Sequence, residues 1–122
     1  MPREHLIAVI DDDKSFLAAL VDSLSSLGYG ARGFASAEEF IAGDETGPYD
    51  CVITDIHLIG MSGFDLVRRL LAYHSNLPVI MITAHAEPEL EVTAAAIGAV
   101  CLLRKPFKAD ALTYWLERVL KA

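Results

Sequence analysis

The feature of this sequence that most restricts its fold is a series of short, almost unbroken apolar runs. Four of them stand out: Leu6 to Ile10, Cys51 to Ile53, Val79 to Ile82 and Val100 to Leu103. A strand with one face in water alternates apolar and polar residues, whereas a strand buried on both faces consists of a continuous apolar run. The runs therefore predict strands of a parallel sheet, and a weaker strand is predicted around Gly30 to Phe34.

Helical periodicity fills the segments between the runs. Leucines from Leu17 to Leu27 recur at helical spacing, which predicts a helix over residues 14–27 that Gly28 ends. Ser36 and Glu39 form a capping box before a short helix over 37–43. Three further helices are predicted from apolar stripes, namely Leu66, Leu70 and Tyr73; Leu90, Ala94 and Ile97, beginning near Pro88; and Leu112, Trp115, Leu116 and Val119.

Alternation of strands and helices at this spacing requires parallel strands joined by right-handed crossovers, with helices on both faces of the sheet. The chain of 122 residues is within the range of one domain. We therefore predict a single doubly wound α/β domain over residues 1–122. Ligands bind such sheets at the carboxyl ends of the strands, so functional residues are expected directly after each run.

Polar side chains do follow the runs. Asp11 and Asp12 come after the first, Asp55 ends the third strand, Thr83 ends the fourth, and Lys105 follows the fifth. Carboxylates brought this close need a counter-charge, and hard oxygen ligands in an open, hydrated cluster suit Mg²⁺. A metal and a lysine beside a carboxylate form a site for a phosphoryl group, with Asp55 as the nucleophile.

The Thr83 hydroxyl and the backbone N–H of Ala84 would then donate to phosphoryl oxygens. Each residue also has an ordinary structural interpretation: Asp13 is most simply a helix N-cap, Thr83 a strand-end hydroxyl, and Lys105 a solvated amine. Only the combination of these residue types at one edge of the sheet favours the phosphoryl site.

Composition narrows the choice of partner and compartment. The chain carries 10 Lys and Arg against 17 Asp and Glu, a net charge of −7, which disfavours direct binding to nucleic acid or to an anionic membrane. The longest apolar stretch, Ala94 to Leu103, is about half the roughly 20 residues needed to span a bilayer. The N-terminus shows no signal-peptide pattern, so a cytoplasmic protein is expected. Cys51 and Cys101 lie in apolar segments, where buried reduced thiols are favoured over a disulfide.

Taken together, the motifs resemble a receiver domain of two-component response regulators, from Leu6 to about Leu120. The matching segments are Val9–Asp13, Val52–Ile56, Gly60–Gly63, Ile82–Ala84 and Arg104–Phe107.

The resemblance implies a flavodoxin-like fold, with strand order 2-1-3-4-5 and five helices. It also implies that Asp55 accepts a phosphoryl group from a sensor histidine kinase or a phosphotransfer protein, and that the domain then acts on an effector domain or a second copy. Mg²⁺ would bind Asp12, Asp55 and the backbone carbonyl of His57, with Asp11 acting through a water. Lys105 would pair with the phosphoryl group or with the acids, and Lys105–Pro106 would be a cis peptide.

The implied strand order has a further consequence for the two cysteines. It places one strand between the strand of Cys51 and the strand of Cys101. Two strand spacings are about 9.6 Å, which exceeds the roughly 7 Å between Cα atoms that a disulfide can bridge.

The sequence departs from the family pattern at several positions. Leu102 stands where the family has an aromatic switch residue, so we hypothesise that the signal passes through backbone shifts of the loop after Thr83 and the helix near 87–98; alternatively Leu102 only packs. His57 and His85 stand where the family controls access of the attacking water, so the resemblance implies that their rings block or orient that water; alternatively they are ordinary surface histidines. Ile59 replaces a common proline.

Two rival functions fit parts of the pattern. A phosphatase with an aspartyl nucleophile, of the haloacid-dehalogenase type, needs Asp-x-Asp, but the sequence here is Asp55-Ile56-His57. A pseudo-receiver that binds partners without phosphate would not need the acidic pair together with Thr83 and Lys105.

Overall fold

The computed structural model describes residues 5–44, 47–73 and 76–120. Strands and helices alternate along these ranges. They are β1 (Leu6–Ile10), α1 (Lys14–Ser26), β2 (Gly30–Phe34), α2 (Ala37–Asp44), β3 (Cys51–Asp55), α3 (Gly63–Tyr73), β4 (Val79–Thr83), α4 (Pro88–Ala96), β5 (Cys101–Arg104) and α5 (Ala109–Val119).

The strands form one parallel sheet in the order β2-β1-β3-β4-β5. This confirms the predicted doubly wound α/β fold, including the strand order implied by the family resemblance. Every residue of β3 and β4 is buried, as their continuous apolar sequences predict. In the register, Asp55 pairs with Ile82 and Thr83 pairs with Arg104, so the chemically important residues reach the same edge of the sheet.

Two layers of helices cover the sheet. Helices α1 and α5 pack on one face, where Leu24 and Leu116 are fully buried. Helices α2, α3 and α4 pack on the other face, and Phe40 and Leu66 are fully buried there. This arrangement leaves the carboxyl edge of the sheet open between the layers, which is where the loops after β1, β3 and β4 meet.

The predicted helix starts and ends agree with the structure to within a few residues. The Asp13 side chain caps α1 by accepting from Phe16 N at 3.1 Å, and Ser36 Oγ accepts from Glu39 N at 3.0 Å before α2. Two residues assigned to buried stripes are exposed instead, Leu27 at 44% and Tyr73 at 72%. Leu27 is the C-cap of α1 and Tyr73 is the last residue of α3, so both lie at the C-terminal end of a helix.

Both cysteines are free thiols, as predicted. Strand β4 separates β3 from β5 and keeps Cys51 and Cys101 apart. Burial raises the pKa of each thiol to about 12, so neither is a reactive thiolate near neutral pH. Within the described residues, no helix is both long enough and apolar enough to cross a membrane.

Candidate functional site

Three carboxylates meet at the carboxyl edge of the sheet. Asp11 and Asp12 follow β1, Asp55 ends β3, and one ligand oxygen from each lies within 4.8 Å of the others. Asp11 is fully buried and Asp55 is 6% exposed, whereas Asp12 is half-buried. The three acids therefore meet at one point, as the sequence predicts, although the two strands that carry them are more than 40 residues apart in the chain.

Lys105 supplies a positive charge to this cluster. Its Nζ donates to Asp11 Oδ2 at 2.7 Å and to Asp55 Oδ2 at 2.8 Å, and it lies 4.1 Å from the centre of the Phe16 ring. Burial by itself lowers the pKa of Lys105, but the hydrogen bonds to the two acids outweigh it and raise the pKa overall. The lysine follows β5 directly and precedes a cis peptide bond to Pro106, as the resemblance implied.

The buried acid beside the lysine is less easily ionised than an ordinary aspartate. Burial raises the pKa of Asp11, and the nearby charge of Asp55 adds to this, while the hydrogen bonds from Lys105 and from Asp13 N act against it. One lysine therefore faces three acids, and the cluster retains an excess of negative charge that favours a cation.

Thr83 ends β4 next to Asp55, one residue beyond the Ile82 that pairs with that acid. Its buried side-chain oxygen accepts from His85 N at 3.0 Å and lies 3.4 Å from His57 Nδ1. Ala84 follows at the same edge and is exposed. Thr83 and Ala84 thus lie at the carboxyl end of the strand next to that of Asp55.

The two predicted histidines contact each other. The rings of His57 and His85 stack with their centres 3.9 Å apart and their planes inclined by 31°. His57 belongs to the loop after β3 and His85 to the loop after β4, so the stacked rings join the two loops beside Thr83. The sequence placed each ring near the site, but it gave no indication that they would stack.

Hydrogen bonds from the loop between β3 and α3 orient the acids. His57 N donates to Asp55 Oδ1 at 2.9 Å, and Ile59 N donates to Asp12 Oδ2 at 3.1 Å. Met61 N donates to Glu38 Oε2 at 2.7 Å, and this bond lowers the pKa of Glu38. Glu38 is not predictable from the sequence, because the contact joins residues 23 positions apart and no local motif marks it.

The remaining predicted positions lie around this centre. Leu102 is half-buried and packs against the core cluster of α2, α3 and α4, beside a surface depression of about 260 Å³ that is lined in part by Ala94 and Trp115. Arg104 on β5 donates to the Glu87 carbonyl at 3.1 Å and to Glu91 Oε1 at 3.5 Å.

The structure thus defines a parallel α/β domain with an acidic cluster, a lysine and a threonine hydroxyl at one edge of the sheet. A family model described as the response regulator receiver domain matches residues 7–117. The chain therefore belongs to the receiver domains of response regulators.

Individual relatives agree with this assignment. The chain is 35% identical to the transcriptional regulatory protein FixJ of Bradyrhizobium diazoefficiens over 121 residues, covering 99% of this chain and 59% of FixJ. It is 38% identical over 112 residues to the C4-dicarboxylate transport transcriptional regulatory protein DctD of Rhizobium meliloti, covering 92% of this chain and 24% of DctD.

A solved structure of a CheY-like response regulator receiver domain protein from Methanospirillum hungatei superimposes with a TM-score of 0.88. Its sequence identity is 27%, and the match covers 98% of this chain and 96% of that one. The chain thus spans about three fifths of FixJ and about a quarter of DctD, but nearly all of this single-domain structure.

Proposed function

We propose that residues 1–122 form a receiver domain that accepts a phosphoryl group on Asp55 from a phosphohistidine of a sensor histidine kinase or phosphotransfer protein. The observation that carries the proposal is the position of Lys105 Nζ, which bonds Asp11 and Asp55 at 2.7 and 2.8 Å within a cluster of three acids. A lysine held in this way can follow the charge from the carboxylate to a phosphoryl oxygen.

In the transfer, a carboxylate oxygen of Asp55 attacks phosphorus as the phosphorus–nitrogen bond to the histidine breaks. The electrons of that bond return to the imidazole, which takes up a proton, and Asp55 becomes an acyl phosphate. The Thr83 hydroxyl and the Ala84 backbone N–H donate to the new phosphoryl oxygens, and Lys105 pairs with the remaining charge. Hydrolysis of the acyl phosphate by water resets the domain.

The residues present fit Mg²⁺ as the resident cation. Each carboxylate offers about four lone-pair sites, so Asp55 keeps some after it accepts from His57 N and Lys105 Nζ. We assign Asp12, Asp55 and the His57 carbonyl as direct ligands and Asp11 as a ligand through water, an all-oxygen set of the kind Mg²⁺ prefers. The bound cation would neutralise phosphoryl charge during transfer.

Phosphorylation would be read out by an effector domain or a second copy of the chain. The surface formed by α4, β5 and α5 is our proposed contact, and its charged residues are Glu89, Glu91, Arg104, Asp110 and Arg118. Since Leu102 carries no ring, we assign the signal to backbone shifts between Ala84 and Ala95. A cytoplasmic location stays a prediction from the sequence.

The test is incubation with acetyl phosphate and Mg²⁺, followed by intact-protein mass spectrometry. The native chain should gain one phosphoryl group in acid-labile and base-labile form, as an acyl phosphate requires, and Asp55→Asn should gain none. Asp65→Asn is the matched control, because Asp65 is an exposed acid on α3 that bonds only local groups, and it should be labelled like the native chain. Many rapid turnovers would indicate a phosphatase instead, and no label would indicate a pseudo-receiver.

A second measurement tests the histidines. If the stacked rings of His57 and His85 limit the approach of water to Asp55, replacing either ring with alanine should shorten the phosphoryl half-life. Unchanged half-lives in both variants would remove the histidines from the mechanism.

A further inference from the structure

Alternate backbone amides of the loop between β3 and α3 donate to three different carboxylates. His57 N bonds Asp55, Ile59 N bonds Asp12 and Met61 N bonds Glu38, at distances of 2.9, 3.1 and 2.7 Å. Two of these acids belong to the candidate metal cluster. The third, Glu38, lies in the first turn of α2 and bonds the loop from outside the cluster.

The bond from Ile59 is a property of this chain's own sequence. A proline at this position would have no amide hydrogen, whereas isoleucine keeps one and directs it at Asp12 Oδ2. The Ile59 side chain itself is 83% exposed and contributes little to the core. The structural contribution of this residue is therefore its backbone N–H.

Hydrogen bonds to a metal-binding carboxylate fix its orientation and so raise the affinity of the site. Asp12 is the half-buried member of the cluster, and the salt bridges of Lys105 are to the other two acids, Asp11 and Asp55. The amide of Ile59 gives Asp12 a fixed direction that the lysine does not supply.

Glu38 contacts the loop immediately after Ile59. Its Oε2 lies against Gly60 and accepts from Met61 N, which are the two residues directly after Ile59. Gly60 has a positive φ of 85°, a conformation that glycine adopts readily. The lowered pKa of Glu38, caused first by the Met61 bond, is consistent with a carboxylate that stays ionised in this role.

We propose that the Ile59 amide and Glu38 are positioning groups for Mg²⁺: the amide orients Asp12 as a ligand, and Glu38 fixes the loop that carries the amide. The inference rests on the proposed function, since it assumes that the acidic cluster binds Mg²⁺. It predicts that affinity for the cation depends on a backbone donor and on an acid that touches no ligand atom.

The experiment is isothermal titration of Mg²⁺ alone into the unphosphorylated chain. Ile59→Pro removes the donor, and the dissociation constant should rise roughly ten-fold. Ile59→Ala is the matched control, because it removes the side chain but keeps the N–H, and its affinity should stay within about two-fold of the native chain. Circular dichroism and thermal melting of each variant show whether the fold is retained.

A second pair keeps the test decisive if Ile59→Pro does not fold. Glu38→Ala removes the bond to Met61 N, and Glu39→Ala removes a neighbouring first-turn acid of α2 with the same effect on helix charge. The dissociation constant should rise about three-fold or more for Glu38→Ala only.

Equal affinities within every pair whose two members fold, or tighter binding by Ile59→Pro, would overturn the inference while leaving the proposed function standing. A native chain that binds no Mg²⁺ would overturn both.

Discussion

The acidic cluster should cost the metal-free protein stability, and Asp12→Asn measures that cost. Asp12 lies within 4.8 Å of both Asp11 and Asp55, while Lys105 bonds those two acids directly. Two repulsions and one attraction therefore act on Asp12, which leaves about one repulsion uncompensated. Asparagine keeps a side-chain oxygen that can accept from Ile59 N but removes the charge.

The magnitude follows from the spacing. Two unit charges 4.8 Å apart interact by about 3.5 kcal/mol at an effective dielectric constant of 20 and by about 0.9 kcal/mol in bulk water. Asp12 is half-buried, so a value between these limits applies. We expect the variant to be more stable than the native chain by roughly 1–2 kcal/mol in the absence of metal, or about 4 °C in Tm for each kcal/mol.

The assay is urea unfolding in a chelator at low salt, repeated at high salt and with saturating Mg²⁺. High salt should reduce the difference, because it screens the repulsion. Mg²⁺ at one hundred times the native Kd should stabilise the native chain by about 2.7 kcal/mol. The variant loses a charged ligand, and with a Kd raised about a hundred-fold it gains only about 0.4 kcal/mol, which reverses the order. Asp13→Asn is the control, since Asp13 is an exposed N-cap that asparagine can replace, and it should not show the reversal. A metal-free Asp12→Asn protein no more stable than the native chain would refute the electrostatic reasoning.

Two further predictions concern packing and ionisation. Gly63→Ala should destabilise the chain by about 2 kcal/mol or more in urea unfolding, because a Cβ there would collide with the Asp55 carbonyl. Gly43→Ala is the control: a Cβ there meets open space, so the variant should be neutral or more stable by up to about 1 kcal/mol. The free energy of unfolding should fall as pH rises from 9 towards 12. The reason is that the unfolded chain ionises its thiols in this range, whereas the folded chain keeps them protonated up to a pKa of about 12. Replacing Cys51 and Cys101 with alanine should therefore flatten this part of the pH profile. A profile unchanged by both replacements would contradict the assignment.

The fold was predictable because its signals are local and repeated. Continuous apolar runs mark strands buried on both faces, and helical stripes between them require crossovers, so the parallel sheet and its functional edge follow without knowledge of distant contacts. The two wrong burial predictions fall at helix ends, where the helical spacing of apolar residues continues but burial does not. Leu27 and Tyr73 fit their stripes, yet they are exposed, and each lies at the C-terminal end of its helix.

The candidate site was predictable only as far as the strand ends determine it. Asp11, Asp55 and Lys105 converge because parallel strands end at the same edge, which the sequence order already implies. The loop contacts were not predictable in this way. Glu38 meets Met61, and His57 stacks on His85, through the detailed paths of loops whose residues carry no periodic signal.

If Asp55 accepts a phosphoryl group as proposed, the contacts of Arg104 would let a receiver domain with Leu102 report the state of its site. Arg104 lies next to Lys105, which contacts the acids, and its guanidinium bonds the Glu87 carbonyl and the Glu91 side chain at the start of α4. A phosphoryl group on Asp55 would draw both Lys105 and Thr83 towards it, from the two strands that flank this contact. Movement of either strand end would therefore act on the same few bonds of Arg104. A side chain that rotates is not required for this coupling, because the backbone of the β4–α4 loop is itself a bonding partner.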